Sequence, residues 1–291
     1  MSKVDAALRA EAQRLVRQAL AEDVGTGDIT TTCTVPANLR GEAVIIAKGA
    51  GVIAGQFVAA MTFREVDAKL AYEELVSDGT AVTPGTIVAR INGPAASIMI
   101  AERTALNFLG RLSGIASLTA RFVAQVAGSR ARILDTRKTT PGLRALEKYA
   151  VRCGGGHNHR FGLFDMLLIK ENHIRASGSL TEAVGRCLKA RTDRGLKIEV
   201  EATCREEVLE ALAAGVDRIM LDNMSIPLLE ECVRLVDGRV ELEASGNISL
   251  SNVAEVARTG VDYISVGALT HSAPVLDLSL QLRHPALAKE G

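Results

Sequence analysis

The sequence predicts an α/β protein with two domains, a small N-terminal α+β domain in residues 1–112 and a C-terminal domain of parallel strands in residues 113–274. Two observations predict this fold class. After residue 132, short apolar runs alternate with helical stretches, which is the pattern of a parallel sheet. Before residue 97, strands, turns and helices follow one another without that regularity. A chain of 291 residues is long enough for two such cores.

The N-terminal domain opens with an amphipathic helix, whose apolar residues recur at helical spacing: Leu8, Leu15, Val16, Ala19 and Leu20. The turn-rich residues 25–28 predict its end. Residues 41–55 predict a strand followed by a glycine-rich turn, and residues 76–94 predict a turn, a strand and a further turn. The tail, residues 275–291, shows strand-like alternation and is therefore expected to return to this domain.

A long helical segment, residues 97–126, follows and is dense in apolar side chains. Ser113 and Gly114 predict a break or bend in its middle. The segment is too apolar for a solvated linker, so we expect it to join the two domains. Arg103 lies within it, and the residues alone favour a surface arginine that pairs with a neighbouring acid.

The C-terminal domain contains six short apolar runs, which are residues 133–135, 166–170, 197–201, 218–222, 240–245 and 263–267. The helices predicted between them are residues 143–152, 180–192, 206–214, 227–236 and 250–258. Polar residues recur in the runs at intervals of 31, 21, 21 and 22 residues, namely Lys170, Glu201, Asp222, Glu243 and Ser265. Six strands are fewer than the eight of a closed α/β barrel, so an incomplete or open barrel is predicted.

The polar residues lie near the carboxyl ends of the predicted strands, where α/β barrels carry their ligands and their chemistry. A structural ion pair would explain one charged residue inside a strand. Polar residues at equivalent positions of successive strands favour a functional site instead.

Residues 135–175 concentrate positive charge, with eight Lys and Arg against four Asp and Glu in a chain of net charge +0. Three of the five histidines also lie there. Fixed cations in a neutral chain predict a site for an anionic ligand. The neutral balance and the few aromatic residues among these cations argue against general nucleic-acid or membrane-surface binding.

Other features predict a cytoplasmic protein without a membrane span. No apolar run approaches the ~20 residues of a spanning helix, and residues 1–23 carry no apolar signal core. The five cysteines are scattered and form no CxxC pair, as expected for reduced thiols.

The predicted rim has an acidic, phosphate-binding half and a cationic half. Glu201 and Asp222 end adjacent strands, and neighbouring carboxylates hold Mg²⁺ or accept sugar hydroxyls. Small-residue loops that bind phosphate follow the last strands, at Ser245, Gly246, Asn247, Gly267 and Ala268. The cations follow the first strands, at Arg137, Lys138, His159, Arg160 and Lys170. A polycarboxylate and a sugar phosphate carrying a diphosphate and a metal ion would match both halves.

Several alternatives remain open from the residues alone. Arg144, Lys148 and Arg152 are spaced as a basic patch on a solvated helix face. Cys153, His157 and His159 form a weak metal-binding pattern, since their spacing fits no zinc motif well, and Cys153 as a nucleophile is a further weak reading. Lys170 at a strand end is also compatible with Schiff-base chemistry.

Seven segments resemble the quinolinate phosphoribosyltransferase family, also called the carboxylating nicotinate-nucleotide pyrophosphorylases. They follow the family's order over nearly the whole chain, and residues 135–174 (DTRKTTPGLRALEKYAVRCGGGHNHRFGLFDMLLIKENHI) form the most specific match. The other segments are 22–31 (EDVGTGDITT), 102–116 (ERTALNFLGRLSGIA), 197–201 (KIEVE), 219–223 (IMLDN), 242–248 (LEASGNI) and 263–272 (YISVGALTHS).

The resemblance implies an N-terminal α/β sandwich and a C-terminal open α/β barrel. It also implies a homodimer with active sites shared between subunits, and it leaves open whether dimers pair further into hexamers. The implied reaction joins quinolinate and phosphoribosyl pyrophosphate, with Mg²⁺, to give nicotinate mononucleotide, pyrophosphate and CO₂.

The resemblance also implies roles for individual residues. Arg103 would reach the neighbouring subunit's site, and the other quinolinate-binding positions would be Arg137, His159, Arg160 and Lys170. Positions at the phosphoribosyl diphosphate and the metal would be Lys138, Glu201 and Asp222, with Lys138, Lys170, Glu201 and Asp222 as the catalytic set. The remaining substrate-binding candidates are Thr136, Ser245, Gly246, Asn247, Ser265, Gly267 and Ala268.

Overall fold

A computed structural model describes residues 4–191 and 195–283. Its described residues form two compact units: a first unit of residues 4–120, 140–155 and 273–283, and a second unit of residues 121–139, 156–191 and 195–272. Among the helices of these ranges, none combines the length and the apolar character that crossing a membrane requires.

The helices are numbered in chain order, and they are α1 Ala6–Val24, α2 Ile29–Thr34, α3 Gln56–Val66, α4 Ala95–Gln125, α5 Arg144–Cys153, α6 Glu171–Ser177, α7 Leu180–Ala190, α8 Arg205–Ala214, α9 Ile226–Val236, α10 Val253–Arg258 and α11 Ala268–His271. The strands are β1 Arg40–Ala47, β2 Gly51–Val52, β3 Ala71–Glu74, β4 Ala81–Val82, β5 Ile87–Pro94, β6 Arg132–Leu134, β7 Leu167–Ile169, β8 Ile198–Ala202, β9 Arg218–Asp222, β10 Glu241–Ser245, β11 Tyr263–Ser265 and β12 Leu278–Arg283.

The first unit contains an antiparallel sheet in the order β12-β1-β5-β3, beside the short pair β2-β4. The tail strand β12 pairs with β1, with Glu42 opposite Arg283 and Ala47 opposite Leu278. Residues 284–291 of the tail lie outside the described residues. Apolar side chains of the sheet and of α3 and α4 form the core, including Ile45, Ile53, Phe63, Ile91, Ile98 and Leu109.

Helix α1 begins where Asp5 accepts a hydrogen bond from the Leu8 backbone N–H (2.8 Å) and ends at Gly25. The predicted first helix is therefore present, and its apolar stripe is buried. The turn-rich segment is followed by α2, a short helix that the sequence reading did not include. Asp28 caps it by accepting from the Thr31 N–H (2.9 Å), as an N-cap aspartate does.

The break predicted in the long helical segment is wrong, because α4 runs without interruption through Ser113 and Gly114. Gly114 has a different role. A Cβ atom at this position would lie 2.0 Å from the Pro274 carbonyl oxygen. The glycine is needed because the chain before β12 passes directly against the helix.

Helix α5 is more buried than its charges predict. Glu147 is fully buried and lies 2.9 Å from an Arg111 guanidinium nitrogen, and it accepts from the Thr140 backbone N–H (3.0 Å). Lys148 is only 2% exposed. The interpretation of Arg144, Lys148 and Arg152 as one solvated basic face is therefore wrong for Lys148.

The second unit confirms the predicted parallel sheet. Its six described strands are all parallel and follow the order β6-β11-β10-β9-β8-β7. Strands β6 and β7 occupy the two edges and do not pair with each other, so the barrel is open, as the sequence predicts. The predicted helices are present, although α10 begins at Val253 rather than at residue 250 and residue 192 of the predicted α7 is outside the described residues.

Candidate active site

The carboxyl ends of the six parallel strands surround a cavity of about 630 Å³. Every predicted site residue except Arg103 lines this cavity. These residues are Thr136, Arg137, Lys138, His159, Arg160, Lys170, Glu201, Asp222, Ser245, Gly246, Asn247, Ser265, Gly267 and Ala268. Arg103 is exposed on α4 and is not among the described residues that line this cavity.

Seven further residues line the cavity without having been assigned to a substrate, namely Leu168, Met220, Asn223, Glu243, Ile248, Val266 and His271, and Glu243 alone among them belongs to the predicted row of polar strand residues. Three of them carry a signal that sequence reading can use. Leu168, Met220 and Glu243 stand two residues before Lys170, Asp222 and Ser245. Alternate residues of a strand point to the same face, so each of the three shares a face with a predicted site residue.

Two guanidinium groups define the cationic side of the cavity. Arg160 is half-buried, and its Nη1 donates to the Met166 carbonyl oxygen (3.2 Å). Burial lowers the pKa of Arg160, and the positive charge of nearby Arg137 lowers it further. Two cations that repel each other in a partly buried position are stabilised by an anion placed between them.

A buried aspartate positions the loop that carries these groups. Asp135 follows β6, is fully buried, and accepts from the His159 backbone N–H (2.9 Å) and from Asn158 Nδ2 (2.5 Å). The His157 N–H donates to the Ile133 carbonyl (2.8 Å). These hydrogen bonds hold the loop against β6 in the manner of an added strand. His159 and Arg160 come next in the chain, and both line the cavity.

Beneath the cavity lies a buried ionic cluster. His159 Nε2 is 3.0 Å from a carboxylate oxygen of Glu199 and 3.5 Å from one of Glu243, and both glutamates are fully buried. Arg218 Nη1 lies 3.2 Å from the same Glu243 oxygen. The other ring nitrogen of the histidine, Nδ1, accepts from the Arg160 backbone N–H (2.7 Å). The hydrogen bond to Nδ1 orients the ring and leaves Nε2 facing the two glutamates.

The two glutamates resist ionisation. Burial, together with the nearby Glu199 carboxylate, raises the pKa of Glu243 to about 8. Burial likewise raises the pKa of Glu199 to about 7, against the opposing effect of Arg218. Two carboxyl groups this close in a low dielectric hold protons at a pH where an exposed glutamate has lost its own.

This cluster predicts a pH dependence of stability. In the unfolded chain both glutamates have the ordinary pKa of 4.5. Because the folded state binds more protons above that pH, the free energy of unfolding is expected to fall as the pH rises from 4.5 toward 8. Glu243→Gln should reduce that fall by up to about 1.4 kcal/mol per pH unit between about pH 5 and 7.

Urea unfolding at several pH values checks this, with Glu230→Gln, an exposed change on α9, as the matched control. A slope in Glu243→Gln equal to that of the control would contradict the assignment.

Lys170 and Glu201 form a close ion pair across the ends of β7 and β8. The Lys170 side chain is 46% exposed. A Schiff-base lysine is activated by apolar, desolvating surroundings, and neither this exposure nor the Glu201 partner provides them. The geometry therefore supports Lys170 as a charge in the site.

The cavity is also lined by backbone-rich loops after β10 and β11. Gly246 and Asn247 follow β10 with φ angles of 93° and 53°, and Gly267 leads into α11. Thr270 Oγ1 donates to the Lys138 carbonyl (2.7 Å) and so ties α11 to the loop after β6. Such loops let a phosphate approach backbone N–H groups.

Among residues 4–191 and 195–283, the side chains that come within 4.8 Å as a potential three-ligand metal site are His159, Glu199 and Glu243. This group contains neither Cys153 nor His157, so it gives no support to the Cys153–His157–His159 pattern. Arg218 already contacts Glu243, and this cation opposes a metal ion there. Glu201 and Asp222 are carboxylates near the strand ends, of the kind that Mg²⁺ binds together with phosphates and water. Lys170 pairs with Glu201, so Glu201 would have to exchange this partner to bind the ion.

The chain matches two family models along almost its whole length. The N-terminal domain of quinolinate phosphoribosyl transferase matches residues 28–113, and the C-terminal domain of the same family matches residues 115–281.

Named relatives and solved structures agree with these matches. "Quinolinate phosphoribosyltransferase [decarboxylating] 1b" of Nicotiana tabacum is 45% identical over 286 residues, with 92% of this chain and 81% of the relative covered. "Probable nicotinate-nucleotide pyrophosphorylase [carboxylating]" of Synechocystis is 46% identical over 270 residues, covering 92% of this chain and 91% of the relative.

The solved nicotinate-nucleotide pyrophosphorylase of Francisella tularensis superposes with a TM-score of 0.91 at 41% identity, covering 97% of this chain and 98% of that one. Human nicotinic acid phosphoribosyltransferase is similar in fold alone, with a TM-score of 0.63 at 12% identity over 93% of this chain and 73% of that one. The chain belongs to the quinolinate phosphoribosyl transferase family.

Proposed function

We propose that the protein transfers the phosphoribosyl group of phosphoribosyl pyrophosphate to quinolinate, and that it releases nicotinate mononucleotide, pyrophosphate and CO₂ in NAD biosynthesis. The observation that carries the proposal is that one cavity brings together the cations, the carboxylates and the glycine-rich loops. The guanidinium groups of Arg137 and Arg160 line it together with the carboxylates of Glu201 and Asp222 and the loops after β10 and β11.

Quinolinate is a dianion, and the cationic side binds its two carboxylates. Arg137 and Arg160 offer planar forks that match a carboxylate, and Lys170 offers a compact charge. His159 is held by Glu199 and Glu243 and forms part of the same wall. Arg103 would complete this wall from a second subunit.

The phosphoribosyl group lies on the other side. Its 5′-phosphate binds at the loops after β10 and β11, the residues 245–247 and 265–268. Its diphosphate lies near Lys138, Glu201 and Asp222. As the bond between C1′ and the diphosphate breaks, positive charge develops on the sugar, and the two carboxylates stabilise it.

The sequence in which bonds form and break then follows from the chemistry of quinolinate. The ring nitrogen of quinolinate forms a bond to C1′ as the bond from C1′ to the diphosphate oxygen breaks. The ring nitrogen becomes cationic, so the electron pair left on the ring carbon when CO₂ departs is stabilised, and that carbon takes up a proton. We assign no residue as general acid or base, because positioning and charge suffice for these steps.

We also propose that Mg²⁺ accompanies the diphosphate and would be held by Glu201 and Asp222. It would neutralise charge on the leaving pyrophosphate. Glu201 and Asp222 would supply two ligands, so the remaining ligands would come from phosphate oxygens and water.

Purified protein supplied with phosphoribosyl pyrophosphate and one of quinolinate, nicotinate or nicotinamide tests the function. Release of pyrophosphate and CO₂ with quinolinate alone is the expected result. Turnover of nicotinate but not of quinolinate would overturn the proposal, and so would binding of quinolinate without pyrophosphate release. Modification of Lys170 by borohydride with a carbonyl substrate would favour a Schiff-base enzyme instead.

We propose that the protein is a homodimer with shared sites. The molecular mass in solution decides whether these dimers pair further into hexamers. A cytoplasmic location is proposed on the free thiols of Cys33, Cys187, Cys204 and Cys232, which suit a reducing compartment.

Shared sites predict complementation between two inactive variants. Arg103→Ala and Arg137→Ala should each be nearly inactive alone. Mixed after subunit exchange, half of the dimers would be heterodimers with one intact site, so activity should rise to about a quarter of wild type. Mass spectrometry of the mixture establishes exchange. Exchange without recovered activity would contradict shared sites.

A further inference from the structure

We propose that Asn223 is a positioning residue, and that its side-chain amide holds the Asp222 carboxylate and the loop of residues 245–247 in one fixed arrangement. The inference rests on the proposed function, because it assigns Asp222 to the diphosphate side of the site and the loop to the phosphate. Asn223 lines the cavity and follows directly after the last residue of β9.

The side-chain amide of Asn223 donates one hydrogen bond and accepts another. Its Nδ2 donates to Asp222 Oδ2 (2.7 Å), and its Oδ1 accepts from Asn247 Nδ2 (3.0 Å). The Asn223 backbone N–H also donates to the Ser245 carbonyl (2.8 Å). One residue therefore joins the ends of two neighbouring strands, β9 and β10.

The backbone of Asn223 is in the left-handed region, with φ of 55°. Glycine, asparagine and aspartate tolerate this conformation best. The side chain also packs directly on the loop, since a Cβ atom added to Gly246 would lie 2.2 Å from Asn223 Oδ1. Gly246 thus lets the amide contact the loop backbone, and the left-handed turn brings the amide to it.

The connection continues beyond the loop. Asn252 Nδ2 donates to the Asn247 carbonyl (3.0 Å), and Asn252 Oδ1 accepts from the Ser249 N–H (2.8 Å). Asn252 precedes α10. A series of amide side chains therefore runs from Asp222 to the start of that helix, and a displacement of the phosphate loop would disturb the Asp222 carboxylate.

The chemistry requires a neutral amide at residue 223. Aspartate would tolerate the same backbone and would still accept from Asn247. It could not donate to Asp222, and it would place a second negative charge beside that carboxylate and the diphosphate. Glycine would keep the backbone conformation and lose both side-chain hydrogen bonds.

The two variants therefore separate backbone conformation from amide bonding. We expect Asn223→Gly to raise KM and the binding constant for phosphoribosyl pyrophosphate by about tenfold or more, and to change KM for quinolinate by less than about twofold. Asn223→Asp should have the larger effect of the two, and its effect should shrink as salt is added. Asp237→Gly, which replaces another left-handed residue at the end of α9, is the matched control.

Steady-state kinetics with each substrate varied, together with calorimetric binding of phosphoribosyl pyrophosphate, gives the answer. Wild-type values for phosphoribosyl pyrophosphate in Asn223→Gly would overturn the inference, and so would equal rises in both KM values, which indicate general damage to the fold. If the wild-type protein does not turn over quinolinate, the proposed function fails. The calorimetric comparison of the variants still decides the role of Asn223 in that case.

Discussion

Replacement of Arg137 by alanine is expected to lower kcat/KM for quinolinate by roughly 30- to 1,000-fold, which corresponds to about 2–4 kcal/mol. Arg137 lines the cationic side of the cavity and lies near Arg160, whose pKa it lowers. A substrate carboxylate placed against both guanidinium groups would lose one charge-assisted partner. The Arg137 side chain is exposed, so the free energy of unfolding should change little.

The measurement is pyrophosphate release with each substrate varied in turn. Arg186→Ala, which removes an exposed arginine of α7, is the control and should keep wild-type kinetics. Arg137→Lys should recover only part of the loss, because lysine keeps the charge but not the planar fork. Wild-type kcat/KM in Arg137→Ala would refute the assignment of this residue to quinolinate.

The second large effect is expected for Glu201→Gln, which should lower kcat by about 10²–10³-fold. Glutamine keeps the shape of the side chain and removes its charge. The variant would lose the anion that faces the developing positive charge of the sugar, and Lys170 would lose its ion-pair partner. The loss should fall on kcat, because the sugar charge is largest in the transition state.

A double-mutant cycle with Lys170→Met separates the effect of the Glu201 charge on the sugar from the effect of its ion pair with Lys170. If the ion pair only orients Glu201, the double variant should be no worse than Glu201→Gln. Glu171→Gln, which changes an exposed glutamate of α6, is the control. A kcat within about twofold of wild type in Glu201→Gln would show that the carboxylate does not act in the transition state.

The strand pattern was predictable because it depends on local chemistry. Short apolar runs at near-constant spacing specify βα units. Each successive run carries a polar residue near its end, so these polar side chains are expected at the same rim of the sheet. The sheet confirms this, with Glu201, Asp222 and Ser265 near the ends of β8, β9 and β11. The open barrel also follows, since the number of runs is read directly from the chain.

Other features depend on which residues meet across the fold. The break predicted at Gly114 is wrong, because α4 continues through this glycine, which accommodates a distant segment of the chain. Lys148 was expected in solvent, and the folded chain buries it. No spacing along the chain relates Glu199 to Glu243 or to His159.

The sequence by itself determined the parallel βα architecture, most of the residues that line the cavity and the family resemblance, because each depends on residue types and their spacing. Only the tertiary structure decided what supports the site. The buried cluster of His159, Glu199 and Glu243 and the amide of Asn223 join residues from different strands. Their pKa shifts and hydrogen bonds arise from distances and loss of water, which exist only once the strands are assembled.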